Sequence, residues 1–370
     1  MTSVNQLIQN LKKVHGDRSI IPGNFLKPDF PRIPSLIFPV DYVIGGGIPV
    51  WCSSCLWGGE SSGKTTLTAN FIASAQQLCW RCFKHHTLCT CSSSPLRLKA
   101  GLINIENSYD PQWFAQAGVD INNLIIVEAD SGEEYVDICN TLLTADDMGL
   151  IVVDSLAALS PDAELEQSAN DDFYALQTRL IGRFMRTSKQ RLIREKKRNH
   201  PITLLYTNQM RSKIGVMFGS NETMSGGWGM KHEFHLLLRM ARKSLTETDK
   251  KKFKTSQHKR TVVHRTAFSV YKEKVFTLGN AGEFVRVREN FPDLGLKICD
   301  VDDIGQLLGY AESVGIIKKE KNKWKYFDKY SNTKTGIYKV LQASPKEKLR
   351  TAYETINLAK KLIIDGESNA

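Results

Sequence analysis

The run Gly58-Gly-Glu-Ser-Ser-Gly-Lys-Thr65 constrains this chain more than any other stretch of it. It satisfies the pattern G-x-x-x-x-G-K-[ST] in full, follows an apolar run and opens a segment of helical character, Lys64 to Leu78. The first turn of a helix carries backbone N–H groups with no acceptor inside the helix, and the aligned peptide dipoles add partial positive charge there. Glycines just before that turn let the chain wrap an anion, so the loop is expected to cradle phosphates. The expected nucleotide contacts are Gly58, Gly59, Glu60, Ser61, Ser62, Gly63, Lys64, Thr65 and Thr66. Lys64 is expected at the β- and γ-phosphates, and the Thr65 hydroxyl on Mg2+.

From about Pro34 to Val287, short apolar runs alternate with helical patterns. Gly101 to Glu106, Leu124 to Val127, Leu150 to Asp154, Ile202 to Tyr206 and Phe234 to Leu238 read as strands. Their hydrophobicity is continuous rather than alternating, so both faces of the sheet are covered. That predicts an α/β fold, a mostly parallel sheet flanked by helices. Phe173 to Arg194 is the other long helical pattern of this region. Asp154 ends its run at the carboxyl edge of a strand, where such sheets bind ligands, and is the expected second Mg2+ ligand. Glu106 ends another run and faces the same edge, placed to orient a water.

The flanks differ. Residues 1–33 read as a helix, Val4 to Val14, and a proline-rich tether. Leu7, Ile8, Leu11 and Val14 form an apolar stripe with no body of its own to pack on, so the helix folds back on the core or docks on a neighbouring subunit. After residue 288 the pattern shifts to helices at Asp302 to Ser313 and Pro345 to Leu362, around an aromatic-basic patch from Lys323 to Lys329. Residues 289–370 are read as a small separate domain, and 34–288 as the core.

Net charge is +11, and two segments account for it: Lys189 to Arg198 contributes +5 and Ala241 to Arg260 contributes +6. Charge concentrated in this way points to a polyanionic partner, although two solvated surface segments would look the same. The first 23 residues hold no apolar run long enough for a signal peptide, and no stretch approaches the roughly 20 apolar residues of a membrane span. An intracellular protein, without a membrane partner, is the expectation.

Four of the eight cysteines, Cys79, Cys82, Cys89 and Cys91, fit C-x2-C-x6-C-x-C. This spacing predicts tetrahedral Zn2+ held by four thiolates in a closed, structural site. His85 and His86 are alternative ligands, expected exposed, while Trp80, Arg81 and Lys84 offer a surface for DNA or a protein partner. Cys52 and Cys55, three apart in an apparent strand, read as core.

The runs Gly58 to Leu67 (GGESSGKTTL), Leu150 to Leu159 (LIVVDSLAAL) and Thr207 to Gly219 (TNQMRSKIGVMFG) resemble the RecA family in order and spacing. So do Ile105 to Pro111 (IENSYDP) and Glu222 to Gly227 (ETMSGG), and the likeness runs from about Ile33 to Glu283. The third block is the most specific, because other ATPases have no need of it. The resemblance implies a RecA-type ATPase core with an N-terminal polymerisation helix and a small α+β C-terminal domain. It implies a DNA-dependent ATPase that uses ATP and Mg2+, coats single-stranded DNA as a helical filament, and promotes homologous pairing and strand exchange.

Roles follow by position. Glu106 would activate water, Asp110 and Trp113 would recognise and stack adenine, and Gln209 would sense the γ-phosphate. Lys272 and Lys274 would reach the γ-phosphate of a neighbouring subunit. The DNA loops would be 161–172 and 210–229, with Arg179, Arg186, Arg211, Lys213, Gly226 and Gly227 at the backbone of the strand. Double-stranded DNA would meet the basic run from Lys250 to Arg260 and the C-terminal domain. Implied partners also include further copies of the chain, mediators and single-strand-binding proteins, in the cytoplasm of a bacterial or phage-infected cell. The cysteine insert, 79–91, departs from the family pattern, and a phage- or plasmid-type relative would suit it. The loop and Asp154 would equally serve a hexameric helicase, which has no use for the third block or the paired lysines; a non-exchanging recombinase paralogue is the other alternative.

Overall fold

A computed structural model describes residues 3–15, 30–166, 174–212, 222–226, 228–257 and 261–367. Its centre is a nine-stranded sheet. In chain order the strands are β1 (Ser53–Gly58), β2 (Lys99–Asn104), β3 (Leu124–Val127), β4 (Met148–Asp154), β5 (Thr203–Ser212), β6 (Glu222–Met224), β7 (Leu236–Lys243), β8 (Val263–Glu273) and β9 (Ala281–Val287). They lie in the order β9-β8-β7-β1-β5-β4-β2-β3, with β6 beside β5. The pairs from β7 through β3 are parallel, whereas β8, β9 and β6 are antiparallel additions.

Every residue of β1 and β4 is buried, and the unbroken apolar run Leu150 to Val153 of β4 is what a strand covered on both faces carries. Successive side chains face opposite layers: Leu150 and Val152 join one core, Ile151 and Val153 the other. Each such side chain stabilises the fold by about 1.5–3 kcal/mol. The helices are α1 (Val4–His15), α2 (Phe38–Val43), α3 (Lys64–Gln77), α4 (Pro111–Gln116), α5 (Gly132–Leu142), α6 (Asp162–Glu166), α7 (Tyr174–Arg198), α8 (Glu247–Lys252), α9 (Ile304–Ser313), α10 (Lys334–Ala343) and α11 (Pro345–Glu367). Leu67, Phe71 and Ile72 pack α3 on the first layer; Ile181, Phe184, Met185 and Leu192 recur at helical spacing to pack α7 on the second. On α1, Val4, Leu7, Leu11 and Val14 are all exposed.

One expectation changes. Residues 210–212, read as loop, extend β5 and pair with β6, because Met224 buries its side chain against the second layer. Residues 213–221 and Gly227 lie outside the described residues. The C-terminal region, α9 to α11 around a three-stranded sheet, has an apolar centre of Leu307, Leu308, Ile317, Tyr326, Ile337 and Leu341. Phe38 from α2 is buried in that same centre, and the Tyr42 and Tyr310 rings lie 4.1 Å apart. The region thus shares its core with the segment that leads into β1. No helix among the described residues is long and apolar enough to cross a membrane.

Candidate active site

The phosphate loop leaves β1 where that strand touches β7 so closely that a Cβ on Gly58 would sit 2.1 Å from the Met240 carbonyl oxygen. Gly63, at φ 92°, then turns the chain into α3. Ser62 Oγ is buried with no hydrogen-bond partner, as suits a cradle built for an anion. Lys64 Nζ donates to the carbonyl oxygens of Gly58 at 3.0 Å and Gly59 at 2.8 Å. Burial pushes the Lys64 pKa down, while Asp154 and Glu106 pull it up.

Asp154 ends β4, buried; that burial lifts its pKa above 3.8, the Thr207 hydrogen bond opposes the rise and nearby Glu106 reinforces it. Thr65 Oγ1 lies 3.4 Å from Asp154 Oδ2. A hydroxyl and a carboxylate are hard oxygen donors, and a divalent cation beside them would offset the Glu106 charge that crowds Asp154, so the pair fits Mg2+.

Glu106 does not end its strand. β2 stops at Asn104, and Glu106 sits on the turn beyond, held there because the Ile105 and Glu106 amides donate to the Asp154 carbonyl at 2.9 and 3.1 Å. Its Oε1 accepts from Ser155 Oγ and, at 2.9 Å, from Gln209 Nε2. The bond brings Glu106 and Gln209 together over the end of β4.

Beside the loop, a cavity of about 250 Å3 is lined by residues 61–66 together with Trp113, His264, Thr266, Phe284, Arg286 and Arg288. Trp113 is the one aromatic ring contributed to this lining by α4. Asp110 does not line this cavity: its Oδ1 accepts the amides of Gln112 and Trp113, which caps α4. His264, Arg286 and Arg288 escaped the sequence reading, because they come from antiparallel β8 and its partner and carry no local motif. Arg286 also reaches α3, bonding Asn70 Oδ1.

Lys272 and Lys274 lie elsewhere. Lys272 pairs with Leu237, which pairs with Cys55, near the amino ends of the parallel strands and away from the edge formed by Gly58, Asp154 and Gln209. Their Nζ atoms donate at 2.6 Å to the carbonyls of Lys231 and His232. Within one chain they do not join the phosphate loop.

Residues 2–280 match the family model described as the RecA N-terminal domain. The chain belongs to the RecA family. It is 34% identical over 254 residues to a Protein RecA of Roseiflexus sp. (strain RS-1), covering 68% of this chain and 63% of that one. It is 30% identical over 338 residues to Protein RecA of Rickettsia massiliae (strain Mtu5), covering 90% and 91%. To that of Chlorobaculum tepidum it is 31% identical over 305 residues, covering 82% and 76%. The alignment thus spans somewhat less than two thirds of the Roseiflexus relative.

On the RecA-family core, Arg179 and Arg186 are exposed on α7, and Arg183 is exposed on the same face between them. Sequence reading missed Arg183. Arg211 pairs through its backbone with Thr223. Gly226 adopts φ 93°, and a Cβ there would meet Met230 Sδ at 3.0 Å, so its glycine also has a packing reason. Lys213, Gly227 and residues 167–173 are outside the described residues. Much of the basic charge is locally matched: Lys189 pairs with Glu233, Arg198 with Asp146 and Glu195, Lys250 with Glu247 and Lys252 with Asp302.

In the insert, the Sγ atoms of Cys79, Cys82, Cys89 and Cys91 lie within 4.8 Å of one another. Burial alone would raise the Cys79 pKa, but hydrogen bonds from the Cys82 and Arg81 amides bring it to about 6. Bonds from the Cys89 and Cys82 thiols push Cys91 up to about 12. Four thiol sulfurs gathered this closely, each able to offer one soft ligand atom, fit Zn2+. His85 and His86 are half-buried rather than exposed, and His85 Nε2 contacts Gln77 Oε1 at 2.8 Å. Trp80 is no surface residue: it is buried, donates through Nε1 to the Ala75 carbonyl at 3.0 Å, and fills the space that Gly149 leaves open.

Proposed function

We propose that this chain is an ATP-dependent DNA recombinase that assembles as a filament on single-stranded DNA and promotes homologous pairing and strand exchange. The hydrogen bond between Gln209 and Glu106 carries the reading. Gln209 stands on β5, which runs on into the segment 210–229, so the residue poised on the water-activating carboxylate is also the start of a DNA loop. In this reading the phosphate loop and Lys64 hold the phosphates of ATP, and Trp113 stacks its base. Thr65 and Asp154 would hold Mg2+, which supplies charge neutralisation at the β- and γ-oxygens when bound. Glu106 orients the attacking water and takes its proton.

The separation of Lys272 and Lys274 from the phosphate loop supports a nucleotide shared between one protomer and the next. The exposed stripe of α1 supports docking between subunits. Arg179, Arg183 and Arg186, with the segments 161–172 and 210–229, meet the phosphates of the strand, contact that is indifferent to sequence. Duplex DNA meets the C-terminal region, and the four cysteines hold a structural Zn2+. D-loop formation and electron microscopy with ATP and single-stranded DNA, for wild type and Lys64→Ala, test this. Filaments and D-loops from wild type alone are expected. Equal DNA binding with and without nucleotide, and no end-to-end assembly, would overturn it.

A further inference from the structure

The cysteine insert lies between the nucleotide-binding half and the C-terminal region, which also meet through α2, and each of its faces meets one of them. Its inner face is bolted to the nucleotide-binding half. The insert leaves the last turn of α3 as a small hairpin, Leu78 opposite His85 and Cys79 opposite Lys84. Trp80 is buried beneath it against β4, Arg97 donates to the Gln76 carbonyl at 2.7 Å, and the Trp80 amide donates to the Leu96 carbonyl at 3.0 Å.

Its outer face meets the C-terminal region. The single turn His86–Leu88 packs on α11, and Lys84 Nζ stands 5.3 Å from the centre of the Tyr353 ring. Phe83 and Leu88 from the insert, with Tyr353 and Ile356 from α11, line a cavity of about 700 Å3 between the two. α11 is otherwise seated on α9, α10 and α2.

Between these faces the insert has almost no core of its own. Residues 81–95 contain no buried side chain. A segment of this kind cannot hold a shape by apolar burial and needs a staple. Four thiolates around one ion supply it, since metal binding and local folding are then a single event.

We propose that the four-cysteine site is a zinc clasp that fastens α11, and through it the C-terminal domain, to the end of the phosphate-loop helix. This rests on the zinc reading above. With zinc in place, Lys84 and Leu88 are held against α11. Without it the outer face dissolves while Trp80 and the sheet remain. The clasp also gives the nucleotide loop a continuous path, along α3 and through the insert, to the C-terminal domain.

Zinc content and amide hydrogen exchange on the full-length protein test the proposal. About one zinc per chain is expected, and its removal by a chelator speeds exchange in residues 345–360 by about tenfold while β4 keeps its protection. Lys84→Ala/Leu88→Ala leaves all four thiolates intact; it should retain zinc yet show the same faster exchange in α11. Zinc present, with α11 exchange unchanged by chelation or by the double variant, overturns the clasp and leaves the metal site standing. Protein purified without zinc, and indifferent to chelators, overturns both.

Discussion

Gln209 Nε2 donates to Glu106 Oε1 at 2.9 Å, joining β5 to the turn after β2 across the end of the strand between them. The two residues sit in one geometry because the Asp154 carbonyl receives the amides that lead into Glu106. Glu106→Gln should keep ATP binding and lower turnover by about 100-fold or more, the usual size of a lost general base. Gln209→Ala should keep basal turnover and lose its stimulation by single-stranded DNA. Steady-state hydrolysis with and without DNA separates the two; full DNA stimulation in Gln209→Ala would remove the link between site and loop.

Arg179, Arg183 and Arg186 share an exposed face of α7. Each phosphate contact to a single strand contributes about 0.7 to the dependence of log K on log salt. Replacing all three by Gln should therefore flatten that slope by about 2, a change read by fluorescence anisotropy at several salt concentrations. An unchanged slope would place the strand elsewhere.

His235 titrates under an unusual load. Burial holds its pKa down at about 4, with Lys274, Lys189 and Lys272 adding repulsion and Glu233 opposing it. Its Nδ1 lies 3.3 Å from the Ser53 amide, an acceptor role that protonation would abolish. The unfolded chain binds this proton near pH 6.5 and the folded chain only near 4, so acidification through that window favours unfolding. The penalty is absent above the window and reaches about 3 kcal/mol at its lower end. His235→Gln should flatten the pH dependence of chemical denaturation between these limits relative to wild type.

Gly149 sits on β4 directly under the indole of Trp80, where a Cβ would lie 2.4 Å from the ring. Gly149→Ala should cost about 1–3 kcal/mol, the range for overpacking a filled core. On α9, by contrast, a Cβ added to Gly309 would meet nothing within 4 Å. Gly309→Ala should therefore stabilise by about 0.5–1 kcal/mol. Thermal denaturation of the pair checks both signs.

The geometry of the phosphate loop was legible in the sequence because most of it is local: one loop, one helix start, and Asp154 at the end of an apolar run. The five apolar runs likewise predicted strands, since a sheet covered on both faces leaves an uninterrupted signature. What stayed hidden depends on packing between distant segments. Trp80 looked like a surface residue within a polar, cysteine-rich stretch, and only Gly149 makes room for it. Glu106 looked like a strand end because β2 and its turn share apolar character, whereas its position is set by the Asp154 carbonyl. His264, Arg286 and Arg288 reach the cavity through antiparallel pairing that no spacing rule announces. Asp110 was assigned to a base, but its visible work is capping α4.

The proposed coupling of ATP to filament geometry requires one nucleotide to be shared by two protomers. Lys64→Ala and Lys272→Ala/Lys274→Ala should each abolish DNA-stimulated hydrolysis alone, and an equimolar mixture measures the arrangement directly. If the phosphate loop of one protomer works with the lysines of its partner, about one interface in four is intact, and about a quarter of wild-type hydrolysis returns on mixing. A mixture no more active than either variant would contradict the shared site.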